Sequence, residues 1–246
     1  MFQPREYRRW VRTRDLVSYI VRLKETDLWI RTCANLSVRA LESVTKHRED
    51  LERYICSHPF FAASFEPVTV GKNAPPIVKA MAQAAALAGV GPMASVAGAV
   101  AQLVGEDLAL LSQEVIIENG GDSYVHSKRD RVVSIYAGNS PFSGKVGLLI
   151  HAADTPIGIC TSSGTVGPSI SLGKADAAVV VAPSAALADA AATAIGNAVI
   201  VAADIPHALK IAQGIEGLTG ALIIKQDHLG VWGKLEICTT DSQSDA

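Results

Sequence analysis

Residues 174–197 read KADAAVVVAPSAALADAAATAIGN, and the rest of the chain is understood from this stretch outward. Residues 177–181 form a short, apolar, partly β-branched run, which suits a buried strand. Pro183 stops it, and Ser184 stands where a helix N-cap belongs. Residues 185–195 are mostly alanine, the best helix former, and Gly196-Asn197 closes the helix. Asp189 and Thr193 lie four residues apart, so both oxygens share one helix face. A carboxylate among alanines is costly to bury unless it is paired or bound to a cation. Oxygen ligands suit a hard ion such as Mg²⁺. The alternative is local bonding, with Asp189 accepting from a nearby amide and Thr193 bonding the carbonyl one turn back. The apolar run 177–205 has the length of a membrane span, but it contains Pro183, Asp189, Gly196, Asn197 and Asp204. We read it as strand, helix and then a strand over 198–202.

Upstream, Thr161-Ser162-Ser163-Gly164-Thr165-Val166-Gly167 follows a strand signal at 157–161. Hydroxyls and free amides on a tight loop suit a phosphate, and so does a plain polar hairpin turn. The loop lacks the spacing and the Lys-Ser/Thr ending of a Walker A motif. Asn119-Gly120-Gly121-Asp122 separates strand signals at 114–118 and 123–125. Its glycines either bring backbone N–H groups to a ligand or form a type I′ turn, which prefers this composition. Further short strands over 131–136, 146–151, 221–225 and 231–238 are spaced by turn signals, as in antiparallel sheets. A helix is expected over 206–215.

The N-terminal part differs in texture. Two β-rich stretches, 16–23 and 28–32, flank a turn at 24–27. A polar amphipathic helix follows and ends at Pro59. Residues 77–104 are mainly Ala, Gly, Val and Met, and give two helices broken at Gly89-Val90-Gly91-Pro92; small residues there allow close packing. The expected fold class is α+β, with largely antiparallel sheets packed against Ala/Gly-rich helices. The expected organisation is one domain over 1–246. It has an N-terminal hairpin and helix (1–65), a site-bearing core (90–200) and a frayed tail (241–246).

The chain has 246 residues, 49% hydrophobic and 19% charged, which is enough for a packed core. A net charge of −2 provides no general attraction to nucleic acid or an anionic membrane. Arg5, Arg8, Arg9, Arg12 and Arg14 crowd the start, and we read them as a solvated face. Cys33, Cys56, Cys160 and Cys238 form no CxxC pair, which excludes a zinc knuckle or a disulfide framework and fits a reducing cytoplasm. The start shows no secretory leader pattern. The six histidines show no metal spacing. Cys160 directly precedes the hydroxyl loop and reads first as a small buried hydrophobe.

Taken together these strings resemble the ApbE-like superfamily. The run from Lys174 through Thr193 is similar to its ADAxxT helix motif, Thr161-Ser162-Ser163-Gly164 to its TSG loop, and Gly120-Gly121-Asp122 to its GGD/GGE turn. The strings over 90–99, 118–122 and 158–167 further resemble a short cytosolic branch of that superfamily. The resemblance implies a protein that takes FAD or FMN, or another phosphorylated ligand, together with Mg²⁺. Asp189 and Thr193 would hold the ion. Asn119, Gly120, Gly121, Asp122, Thr161, Ser162, Ser163 and Gly164 would line the nucleotide. ApbE itself is an FAD:protein FMN transferase, so FMN transfer is one expectation. The alternatives are a non-catalytic flavin or metabolite binder, or a factor in sulfide assimilation to homocysteine, in which Cys160 would matter. The GGIAKG segment of the transferase corresponds to Ser95-Val96-Ala97-Gly98-Ala99, which has no lysine, so weak FMN transfer is expected.

Overall fold

The computed structural model describes residues 15–165 and 172–240. The N-terminal arginine cluster, Val166-Gly167 and the tail 241–246 lie outside the described residues. The strands are β1 (Val17–Leu23), β2 (Thr26–Thr32), β3 (Val115–Asn119), β4 (Asp122–His126), β5 (Arg131–Ser134), β6 (Val146–Ile150), β7 (Ile157–Ser162), β8 (Ala177–Ala182), β9 (Gly220–Lys225), β10 (His228–Gly233) and β11 (Glu236–Thr239). The helices are α1 (Ser37–Ser57), the single turn α2 (Phe60–Ala63), α3 (Pro76–Ala88), α4 (Val96–Ala109), α5 (Ala185–Asn197) and α6 (Ile205–Gly214).

Eight strands form one sheet in the order β1-β2-β3-β4-β7-β8-β9-β10, and three form a second in the order β11-β6-β5. Every pairing is antiparallel. This is the α+β architecture expected from the short, turn-separated strands. The large sheet is the middle of three layers. Alternate residues serve its two faces, as the two-residue period of a strand requires. Ile117, Tyr124, Cys160, Val180 and Ile223 join the core under the helices. Ile116, Val125, Ile159, Val179 and Leu222 join the core against the small sheet. Covered on both sides, β8 is buried at every position.

Helix α5 lies on the large sheet at very close range. A Cβ at Gly158 of β7 would fall 2.2 Å from Ala185 Cα, and one at Gly98 of α4 would fall 2.2 Å from the Ala185 carbonyl oxygen. The alanine and glycine composition is therefore a packing requirement. Ser184 caps α5 by accepting from Leu187 N–H at 3.3 Å. Gly89 ends α3 in the left-handed conformation (φ 69°), and a short 3₁₀ turn over Pro92–Ser95 leads into α4.

Two expected elements differ. Residues 198–202 are not a strand. The Asp204 carboxylate accepts the N–H groups of Ile200 and Val201, both at 2.9 Å, so a side chain consumes the donors a sheet ladder would need. The expected strand over 231–238 is two strands in different sheets. Gly233 takes φ 91°, and the chain leaves β10 on the large sheet to enter β11 on the small one. No single described helix is long and apolar enough to cross a membrane.

Candidate functional site

The β3–β4 hairpin, the end of β7 and the middle of α5 bring the three sequence-selected segments together. Asn119 pairs with Asp122 across the turn, and Gly120 (φ 75°) and Gly121 (φ 108°) both occupy positive φ. The turn is therefore of the type I′ kind. It also abuts the second segment, since a Cβ at Gly121 would sit 3.5 Å from the Thr161 carbonyl oxygen. Glu118 pins it from behind by accepting Gly121 N–H at 2.9 Å. Asn119 donates its amide to the Ala97 carbonyl at 3.1 Å, which ties the turn to the start of α4.

Asp122 and Cys160 are neighbours one step beyond the Ser123–Ile159 register pair, on the helix-facing side of the sheet. Thr161 N–H donates to Asp122 Oδ1 at 3.3 Å. From above, Asp189 of α5 accepts Gly98 N–H at its Oδ2 at 2.8 Å. Gly98 lies in the first turn of α4, whose own cap residue, Ser95, makes no capping bond. Asp189 thus caps α4 from another helix and sits at the positive end of its dipole.

The electrostatics of this cluster are lopsided. Asp189 is buried, and burial pushes its carboxyl well above the usual carboxylate range; the charge of Asp122 adds to the rise, and the Gly98 and Ala97 amides oppose it. Burial likewise pushes the Cys160 thiol up, with Asp122 and Asp189 adding to the effect. Two acidic groups and a thiol share a dry space, and no basic side chain contributes to either shift. Cys160 is fully buried and donates to the Ala185 carbonyl at 3.3 Å, so its thiol is a packed structural group in this state.

The loop after β7 lies at the C-terminal end of α5. A Cβ at Gly196 would meet Ser162 Oγ at 3.3 Å. Gly164 N–H donates to the Ala175 carbonyl at 2.9 Å, and Thr165 N–H to Ser163 Oγ at 3.2 Å. Thr165 Oγ1 donates to Asp176 Oδ1 at 3.2 Å. The Thr193 hydroxyl, half-buried one turn beyond Asp189, makes no hydrogen bond among the described residues, so the expected bond to the carbonyl one turn back is not formed.

A family model described as AbpE bacteria matches residues 8–231. The chain belongs to the ApbE-like superfamily. It is 42% identical over 228 residues to a UPF0280 protein of Methanocaldococcus jannaschii, covering 90% of this chain and 93% of that one. It is also 42% identical over 198 residues to a UPF0280 protein of Methanosarcina acetivorans, covering 80% and 78%. Among solved structures, the flavin transferase ApbE from Vibrio cholerae superposes with TM-score 0.57 at 11% identity, over 92% of this chain and 97% of that one. The apo flavinyl transferase ApbE of Pseudomonas stutzeri gives the same TM-score and identity, over 92% and 95%. At 11% identity these structures speak to the ApbE-like fold alone.

The oxygens available here to the cation expected of an ApbE-like protein are few. Asp189 spends one oxygen on Gly98, and an ionised carboxylate has about four acceptor positions in all. Among the described residues no group of three or more His, Cys, Asp or Glu is arranged to hold a metal. A hard ion here would therefore take Asp189, the Thr193 hydroxyl, waters and ligand phosphate, which is how Mg²⁺ is commonly held. The pairing of Asp189 with the Gly98 amide was not readable from sequence, because the partners are 91 positions apart.

Proposed function

We propose that this chain binds a flavin nucleotide, FAD or FMN, where the β3–β4 turn, the 161–165 loop and α5 meet. Asp189 and Thr193 would hold a Mg²⁺-type ion beside the phosphates. The observation that carries this reading is Asp189: a buried carboxylate bonded to the Gly98 amide and close enough to Asp122 to feel its charge, while Asp122 in turn accepts the amide of Thr161, the first residue of the hydroxyl loop. The bound ion would supply charge neutralisation at the phosphates. The chain's own groups do the rest. Gly120 and Gly121 leave the approach to Thr161 clear, and Asp122 fixes the Thr161 amide.

FMN transfer at this site would form a P–O bond between an acceptor hydroxyl and the FMN phosphorus. The anhydride P–O bond breaks, AMP leaves with the electron pair, and the hydroxyl proton is released. We expect this turnover to be weak. Residues 95–99 offer one hydroxyl and small apolar groups in place of a lysine. Deleting one electrostatic donor elsewhere costs about 3–4 kcal/mol, a few hundredfold in rate. A second reading, binding without transfer, is favoured by the Asp189–Gly98 bond, which gives the carboxylate a structural task of its own. The test is incubation with FAD, Mg²⁺ and an acceptor domain, read as in-gel flavin fluorescence beside mass spectrometry of molecules released from the purified protein. Turnover equal to a true transferase would overturn the expectation of weak transfer. Absence of any flavin affinity would overturn the proposal itself.

A further inference from the structure

Lys225 ends β9, one step beyond the Ala177–Ile224 register pair, and so stands beside Asp176 where the chain enters β8. Its side chain is 13% exposed. Every other lysine among the described residues is exposed. Withdrawing an ammonium from water is costly unless something compensates. The compensation visible here is incomplete. Nζ donates to the Lys174 carbonyl at 2.6 Å and lies 3.8 Å from Asp176 Oδ1, a loose ion pair. That carboxylate is already engaged, with Oδ1 accepting the Thr165 hydroxyl and Oδ2 the Gln226 N–H. An ammonium carries three donors and the Lys174 carbonyl takes one, which leaves donors for another acceptor.

Its position gives that donor a direction. Thr165 and Lys225 converge on the same Asp176 oxygen, so the ammonium is placed against the hydroxyl loop. The loop is in turn strapped to the strand that Lys225 borders, through Gly164 N–H and the Ala175 carbonyl. Residues 95–99 hold no cationic side chain.

We propose that Lys225 is the cationic contact for the phosphate or pyrophosphate group of the ligand taken at the 161–165 loop. This rests on the phosphorylated-ligand reading above. Asp176 is its positioning residue and offsets its charge while the loop is empty. Phosphate replaces that loose pairing with a direct, charge-assisted hydrogen bond.

The test titrates FAD, riboflavin and inorganic pyrophosphate, each with Mg²⁺, into the parent, Lys225→Gln and Lys225→Arg. Glutamine keeps a donor for the Lys174 carbonyl, and arginine keeps the charge. Lys225→Met decides in place of glutamine if that variant fails to fold. The expected result is a roughly ten- to hundredfold loss of FAD and pyrophosphate affinity in Lys225→Gln, the worth of one charge-assisted bond. Riboflavin binding stays unchanged, and Lys225→Arg recovers most of the loss. Equal FAD affinity in parent and Lys225→Gln overturns the role of Lys225 and leaves the flavin reading standing. A proportionate loss of riboflavin binding also overturns it, since a packing defect would do the same. Pyrophosphate binding that depends on Lys225, without affinity for either flavin, upholds Lys225 and overturns the flavin reading. No binding of any probe by the parent overturns both.

Discussion

Replacing Asp189 separates its two tasks, capping α4 and meeting a cation. In Asp189→Ala the Gly98 N–H, now bonded at 2.8 Å, loses its acceptor in a buried space. An orphaned buried donor costs about 1–3 kcal/mol, in line with the loss of a helix cap. For a chain of this size that lowers the melting temperature by roughly 2–12 °C. In Asp189→Asn the side-chain oxygen still accepts from Gly98, and a charge that burial opposes is gone. This variant should melt at or above the parent when no divalent ion is present. Both variants should lose Mg²⁺ affinity in the presence of FAD by at least about tenfold, since even groups that only support a metal's ligands cost that much. The assay is thermal melting by circular dichroism with and without Mg²⁺ and FAD, paired with calorimetric titration. If Asn and Ala destabilise equally, the capping account fails. If Asp189→Asn keeps the parent's Mg²⁺ affinity, the cation account fails.

Gly158→Ala would push a methyl to 2.2 Å from Ala185 Cα, so α5 must move off the sheet; we expect about 1–3 kcal/mol of destabilisation, read as a lower urea midpoint. His151 donates or accepts at both ring nitrogens, to Asp130 and Glu236 at 3.0 Å each, and these carboxylates raise its pKa. A raised folded value means that its stabilisation is fully present below the ordinary histidine pKa of 6.5 and is lost as pH rises through the higher folded one. The stability difference between the parent and His151→Gln should therefore be largest below pH 6.5 and fade as pH rises through the raised folded value, read in pH-dependent denaturation curves. Native alkylation followed by mass spectrometry should label the exposed Cys33 and Cys56 and spare Cys160 until the protein unfolds, whereas early labelling of Cys160 would show that α5 lifts readily.

What the sequence disclosed was mostly local. Ser184 and Gly196-Asn197 bracket α5 because caps and breakers act within a few residues, and the β1–β2 hairpin and the break between α3 and α4 follow from turn residues in the same way. Errors arose where a distant or competing partner decided the outcome. The β-branched run at 198–202 reads as a strand until Asp204 takes its amides. The 231–238 run reads as one strand because nothing in it announces that its halves serve different sheets, except Gly233. The candidate site was legible as three segments, but their mutual contacts were not. Asp122 beside Cys160 depends on strand register, Asp189 against Gly98 on helix packing, and Lys225 beside Asp176 on an antiparallel pairing across a long connection.

The placement of β11 has a consequence for biosynthesis. It is the last described strand to leave the ribosome, yet it pairs with β6, made some ninety residues earlier, and helps close the small sheet over the second core. A chain that lacks Glu236–Thr239 leaves that edge of β6 unpaired. Truncation before β11 would then yield aggregation-prone chains even though every residue of the candidate site is present.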